Sequence, residues 1–260
     1  MTDTVGAIVR WMEGAPLDEL FRDFEFVEQD RRRLESRLQD AIARHPSLET
    51  AVKWNVRRVG CDLHELVILA GDRDVQVKFD GRNEDPDMYL RWDGCEVARA
   101  RAVPSQFGLM LAGWLVDRVP PTEFRGRPNV VIHPVAAYYE QGRGVEGELV
   151  VSWDQLEVFY ESSQFPQSAF ALRYIASLRR IGFDASLRAG QSLSRTILSR
   201  SWRHGLNENQ AFVMLDFKTD RVIVTGYLAN ENPRPLVCHD PEASPGVISL
   251  LRKLESCPLD

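Results

Sequence analysis

Lysine is nearly missing from this chain: Lys53, Lys78, Lys218 and Lys253 are the only lysines among 32 basic residues, and the rest are arginine. Genomic base composition accounts for such a bias, and a preference for bidentate anion contacts is the sharper reading, because only the guanidinium presents a planar fork of donors. Cysteine is also scarce. Cys61, Cys95, Cys238 and Cys257 form no C-x-x-C pair and are too sparse to staple 260 residues, which excludes a disulfide framework and points to a reducing cytoplasm. No apolar run approaches the roughly 18 residues of a membrane helix, and the start MTDTVGAIVRW has neither a basic opening nor a long apolar stretch. A cytoplasmic protein without membrane association is therefore expected. The net charge of -6 argues against general nucleic-acid binding while leaving local basic patches open. P-loop, G-x-G-x-x-G, G-x-S-x-G, H-E-x-x-H, zinc-finger and kinase signatures are all missing, and no cofactor is implied.

What is present is architectural. With 44% hydrophobic residues the chain is rich enough to bury a sizeable core. Leu66 to Phe79, LVILAGDRDVQVKF, reads as a strand, a charged turn and an alternating strand, and Val213 to Gly226, VMLDFKTDRVIVTG, reads the same way. Displacing Leu66, Ile68, Val75, Val77, Leu90 and Asp93 by 147 residues lands on Val213, Leu215, Val222, Val224, Val237 and Asp240, a match of pattern with little identity. The expectation is an α+β fold of two tandem α-β-β-β-α units, a possible internal duplication, with antiparallel sheets and an N-terminal helical arm.

The divisions fall at residues 1–28 (helical arm), 29–125 (first repeat), 126–162 (bridging strands) and 163–260 (second repeat). In the arm, Val5, Ile8, Val9 and Met12 lie at helical spacing before Gly14 and Pro16 interrupt, and Leu17, Leu20, Phe21 and Phe24 resume the pattern; a cap, a dimer arm or a docking element would suit it. The first repeat runs from a helix over Asp30 to His45, through strands at Glu65 to Ala70, Val75 to Phe79 and Met88 to Trp92, to a helix from Ser105 carrying Phe107, Met110, Leu111, Trp114 and Leu115 on one face. Leu48 to Gly60 is ambiguous between helix and strand. Asn129 to Tyr139 and Glu148 to Trp153 read as bridging strands around Gln141-Gly142-Arg143-Gly144. The second repeat has helices at Ser168 to Ile181 and Gln191 to His204, strands at Ala211 to Leu215, Arg221 to Thr225 and Pro235 to Cys238, and a last helix begun by Ser244-Pro245.

Chemistry is concentrated in one charge anomaly. From Ser168 to Arg203 the chain carries Arg173, Arg179, Arg180, Arg188, Arg195, Arg200 and Arg203 against the single acid Asp184. On a helix over Gln191 to His204, Arg195, Arg200 and Arg203 would share roughly a 140° arc opposite Leu193, Ile197, Leu198 and Trp202. Arg179, Arg180, Arg188, Arg195, Arg200 and Arg203 are thus the candidate anion-binding residues. They make the preferred reading a non-catalytic binding or regulatory protein that engages an acidic protein or another anionic partner through an arginine-rich helical surface. Homo-oligomerisation is compatible with it.

Two alternatives use other residues. An enzyme could place His64, His133, Cys238, His239 and the acids Asp72, Asp74, Asp80, Glu84, Asp85 and Asp87 in a cleft between the repeats. Direct RNA or DNA binding would use the arginines on phosphates. Cys61-x-x-His64 with Cys238-His239 holds the atom types of a zinc site, but adjacent residues on a strand project to opposite faces, so no metal site is expected.

Overall fold

The computed structural model describes residues 2–16, 19–20, 25–58, 64–79, 85–101, 103–192, 195–202, 206, 210–228 and 232–259. The chain forms an α+β fold of two compact units, Met1–Ala136 and Ala137–Asp260, each built on an antiparallel meander.

The first unit opens with α1 (Thr2–Met12), α2 (Glu25–Arg44) and α3 (Ser47–Ala51). Leu34, Leu38 and Ala41 form the buried stripe that the sequence predicts for α2, whereas Val5, Ile8, Val9 and Met12 of α1 remain exposed. Six strands follow in sequential pairing: β1 (Lys53–Arg58), β2 (His64–Ala70), β3 (Arg73–Phe79), β4 (Asp87–Trp92), β5 (Cys95–Arg101) and β6 (Val130–Ile132). One face buries Leu66, Ile68, Val75, Val77, Met88 and Leu90 completely. Helix α4 (Pro104–Leu111) runs on into a π-helical turn, Ala112–Val116, and brings Phe107, Met110, Leu111, Trp114 and Leu115 into the core, the five residues its periodicity selects.

Arg73 closes the end of that core. Its position on the same strand face as Val75 and Val77 buries it to 3% exposure. The guanidinium carbon lies 4.2 Å from the Trp92 ring centre and 4.0 Å from that of Trp114. Its Nη1 donates to the carbonyls of Trp114 (3.1 Å) and Val119 (2.9 Å), while the Trp114 indole donates to the Asp74 carbonyl at 3.1 Å. The two rings meet edge to face at 77°, so the guanidinium sits in their corner, and a desolvated cation beside an aromatic ring gains about 2 kcal/mol at the upper end. Nearby, burial works against the Asp72 carboxylate, but donation from Arg118, its own backbone amide and the Trp92 indole outweighs this and lowers its pKa. Asp74 goes the other way: desolvation raises its pKa, against the pull of Arg91 at 3.5 Å and with reinforcement from Glu65.

The second unit contains α5 (Ala136–Glu140), of which all but Ala136 belongs to this unit, α6 (Gly144–Ser162), α7 (Ser168–Ile181), the strands β7 (Arg188–Ser192), β8 (Arg195–Ser199), β9 (Phe212–Phe217), β10 (Val222–Tyr227) and β11 (Pro235–Cys238), and α8 (Pro245–Glu255). The sheet order is β11-β10-β9-β8-β7. Its inner face, with Leu198, Val213, Leu215, Val222 and Val224, packs against Trp153, Leu156 and Tyr160 of α6, Phe170, Tyr174 and Leu178 of α7, and Val247, Leu251 and Leu254 of α8. Helix α7 ends at Gly182, whose φ of 93° suits a residue without a Cβ. Ser244 caps α8, its Oγ accepting from the Val247 amide at 3.4 Å. Gly147 lets α6 pass Tyr138, since a Cβ there would stand 2.4 Å from the Tyr138 Cβ.

Three expectations are corrected. Glu148 to Trp153 is no strand but the interior of α6, where Leu149, Trp153, Leu156 and Tyr160 recur at helical spacing on the buried side. Of Asn129 to Tyr139 only Val130–Ile132 is extended, and Ala136–Glu140 is helical. The expected helix from Gln191 to His204 is not formed: Gln191 and Ser192 end β7, Arg195–Ser199 form β8, and Arg200 to Trp202 follow without regular structure. Thr196 and Leu198 point inward with period two in β8, although Ile197 and Leu198 also fit one face of a helical wheel. The two units differ in strand number and in hairpin register. Val77 faces Leu66, whereas the equivalent Val224 faces Leu215 rather than Val213, because a two-residue turn links β2 to β3 and a four-residue loop links β9 to β10.

Replacing Arg73 with alanine is expected to lower the stability of the first unit by about 3 kcal/mol, measured by urea denaturation followed through tryptophan fluorescence. Arg73→Lys should recover less than half of the loss, because a compact ammonium cannot lie flat against an indole while its donors reach two carbonyls. Asp74→Asn is expected to stabilise the protein at neutral pH. A raised folded-state pKa means the native state binds the proton more tightly, so the wild type loses stability as pH rises from the unfolded value through the folded one, and the variant should lose that dependence in a pH series of denaturation curves.

Candidate functional site

In the second unit an open cleft of about 470 Å³ lies where α6 meets the outer strand β7. The sequence places it there through the polarity of one helix face. Trp153 is buried and its indole donates to the Leu187 carbonyl at 2.7 Å, while Ser152 Oγ accepts from the Ala189 amide at 2.9 Å and donates to Leu149 of its own helix. Two side chains of α6 thus satisfy backbone groups on the side of β7 that faces away from β8. Such a row is ordinarily left to solvent or to a further strand.

The walls are mixed. Leu156, Ala189, Ile197 and Leu206 supply apolar surface, Gln155, Gln191, Ser192 and Ser199 supply amides and hydroxyls, and Gly190 leaves a gap between them. Among the described residues, a Cβ at Gly190 would have only the Ile197 carbonyl near it, at 3.8 Å. Charge enters through Arg188, which is 9% exposed. Its Nη1 donates to the Trp202 carbonyl at 2.6 Å and stands 3.6 Å from Glu148, whose carboxylate also accepts from the Tyr139 hydroxyl. The ion pair compensates the charge locally.

The arginines singled out by the sequence are dispersed rather than gathered on one helix. Arg179, in the last turn of α7, is held by Asp154 at 2.8 Å, Glu157 at 2.7 Å and Asp184 at 3.2 Å. Arg180 forms a two-pronged pair with Glu242, both contacts at 3.2 Å. Arg200 donates to the carbonyls of Ser186 (2.7 Å) and Cys257 (3.2 Å), tying the end of β8 to the C-terminal segment. Arg188 lines the cleft. Arg195 is exposed on β8 opposite Asp216, and Arg203 lies outside the described residues.

The alternative candidates belong to different units or lie outside the described residues. His133, in the first unit, pairs with Glu96 at 3.0 Å. Cys238, in the second, is buried with its thiol 3.6 Å from the Ser244 hydroxyl, close to Tyr174, whose pKa burial pushes up. Cys61, Asp80, Glu84 and the side chain of His64 lie outside the described residues, and among those described no three His, Cys, Asp or Glu side chains group as a metal site would require. No described helix is long and apolar enough to cross a membrane. Comparison with family models, with curated proteins and with solved structures gives no match.

Apart from Arg188, the cleft residues were not selected from the sequence. Their signal was the Ser/Gln-rich alternation Gly190-Gln191-Ser192 against Thr196-Ile197-Leu198-Ser199, which marks a hairpin with one wet face once it is read with period two.

Glu148→Gln should destabilise the second unit by about 3 kcal/mol, because it removes the carboxylate that stands 3.6 Å from the buried Arg188 guanidinium. Thermal unfolding measures this. The double variant Glu148→Gln, Arg188→Met is expected to be less damaged than Glu148→Gln alone.

Proposed function

We propose that this protein is a non-catalytic binding module and that the cleft beside β7 is where it takes its ligand. The carrying observation is the cleft itself: a concave site with apolar walls and a few fixed hydrogen-bonding groups has the make-up of a ligand pocket. Among its described lining residues are no histidine, cysteine, aspartate or glutamate, and the Ser152 hydroxyl is committed to two structural hydrogen bonds, which supports binding over chemistry. The Arg188–Glu148 pair leaves little net charge, so the ligand that fits is uncharged where it enters and rich in hydrogen-bonding groups. An arginine surface engaging an acidic partner is less well supported, because Arg179, Arg180, Arg188 and Arg200 are already held by carboxylates or carbonyls.

A thermal-shift screen of neutral hydrogen-bonding fragments tests the reading. A ligand at about 100 times its Kd adds about 2.7 kcal/mol of stability, a shift of several degrees. Gly190→Leu fills the cleft where the backbone leaves room, so it should keep the unliganded Tm within about 2 °C and remove the shifts. Shifts that survive in Gly190→Leu would place binding elsewhere.

A further inference from the structure

We infer that Cys238 is a site of oxidation by a small hydroperoxide, and that the Tyr174 hydroxyl donates a hydrogen bond to the oxygen this reaction adds to the sulfur. The site lies in the second unit, at the end of β11 and so at the opposite edge of the sheet from the cleft beside β7. Cys238 is 7% exposed. Beside it Ser244 caps α8: its Oγ accepts from the Val247 amide at 3.4 Å and lies 3.6 Å from the Cys238 sulfur. With one lone pair engaged by the helix, that hydroxyl can turn its proton on the sulfur. Tyr174 approaches from α7, its ring held by Phe170 and Phe217. The whole residue is buried, and its hydroxyl has no hydrogen-bond partner among the described residues, although the Cys238 thiol lies beside it. Buried hydroxyls are ordinarily paired, and one left unpaired costs stability. Burial, reinforced by the neighbouring thiol, pushes the Tyr174 pKa up, so the hydroxyl keeps the proton it has to donate.

An oxygen atom on the sulfur supplies the missing acceptor. In the step, a sulfur lone pair attacks the outer oxygen of the hydroperoxide and the S–O bond forms as the O–O bond breaks. The thiol proton leaves on the departing oxygen as water or an alcohol. Sulfur gives up two electrons, the peroxide takes them, and Cys238 becomes a sulfenic acid. Its small exposed area limits the oxidant to a small molecule. The other described thiols stand in different surroundings. Cys95 and Cys257 are less buried, but each lies against a carbonyl, that of Glu96 at 3.8 Å and that of Lys253 at 3.6 Å, which accepts and cannot donate. Exposure alone would favour oxidation of those two, whereas hydroxyl donors favour Cys238.

The test exposes the full chain briefly to hydrogen peroxide and quenches it into denaturant containing dimedone, which traps sulfenic acids without needing access to the folded site. Peptide mass spectrometry then assigns the adducts. Among Cys95, Cys238 and Cys257 the largest share is expected at Cys238, and Tyr174→Phe should lower that share about fivefold, the effect of one net hydrogen bond. Because Tyr174→Phe removes an unpaired hydroxyl from the core, its Tm before oxidation should not fall. Should the variant unfold all the same, the ranking of the three thiols in the wild type decides alone. An adduct at Cys238 no larger than that at Cys95 or Cys257 would overturn the inference, as would one that Tyr174→Phe leaves unchanged.

Discussion

The second unit depends on how one sheet edge is closed. A five-stranded meander leaves two edges, and an uncovered row of backbone donors and acceptors invites pairing with another chain. Helix α6 covers part of the β7 edge with two side chains, and to do so it must lie close enough for Trp153 and Ser152 to reach backbone atoms at 2.7 and 2.9 Å. At its start α6 also passes close to α5, where Gly147 leaves room for Tyr138. Tyr160 on the same helix reaches across to Thr196 on β8 at 3.2 Å, so helix and hairpin are tied at both ends. The cleft is what remains where this cover stops.

Arginine does structural work throughout an acidic chain, and its planar fork explains why lysine would serve poorly. Arg73 satisfies two carbonyls while seated in the corner of two indoles, Arg179 gathers three carboxylates from α6 and the turn after α7, and Arg200 bridges two carbonyls distant in sequence. Each needs several donors in fixed directions, which an ammonium on a flexible stem does not supply. A basic excess in the sequence between Ser168 and Arg203 therefore becomes a set of local ties, and the acids that balance it come from α6 and from Glu242, outside the segment.

The fold was legible where burial follows one unambiguous period. Helix α7 occupies Ser168–Ile181 with its glycine stop, α8 begins at the Ser244-Pro245 signal, and the four central hairpin strands lie where alternation places them. It was not legible where two periods fit the same residues. Gln191 to Ser199 satisfies a helical wheel and a strand, and the choice is made by pairing with β9 and by the edge contact with α6, both invisible locally. Glu148 to Trp153 is short enough to pass for a strand, but it lies inside a 19-residue helix whose Leu149, Trp153, Leu156 and Tyr160 recur at helical spacing on the buried side. The candidate site suffered the same fate. It is assembled from α6 and β7–β8, so misreading both elements hid it, and only Arg188 was reached through its charge.

The central claim is that binding is seated at the cleft where α6 ceases to cover β7. Backbone-amide chemical-shift mapping of the full chain, titrated with the compound giving the largest thermal shift, tests it most directly. The account predicts perturbations concentrated at Arg188 to Ser192, Ile197 to Ser199 and Ser152 to Leu156, with the β10–β11 edge unmoved. Perturbations clustered on α1, on the first sheet or on β11, with the Ala189 and Gln191 amides unchanged, would contradict it.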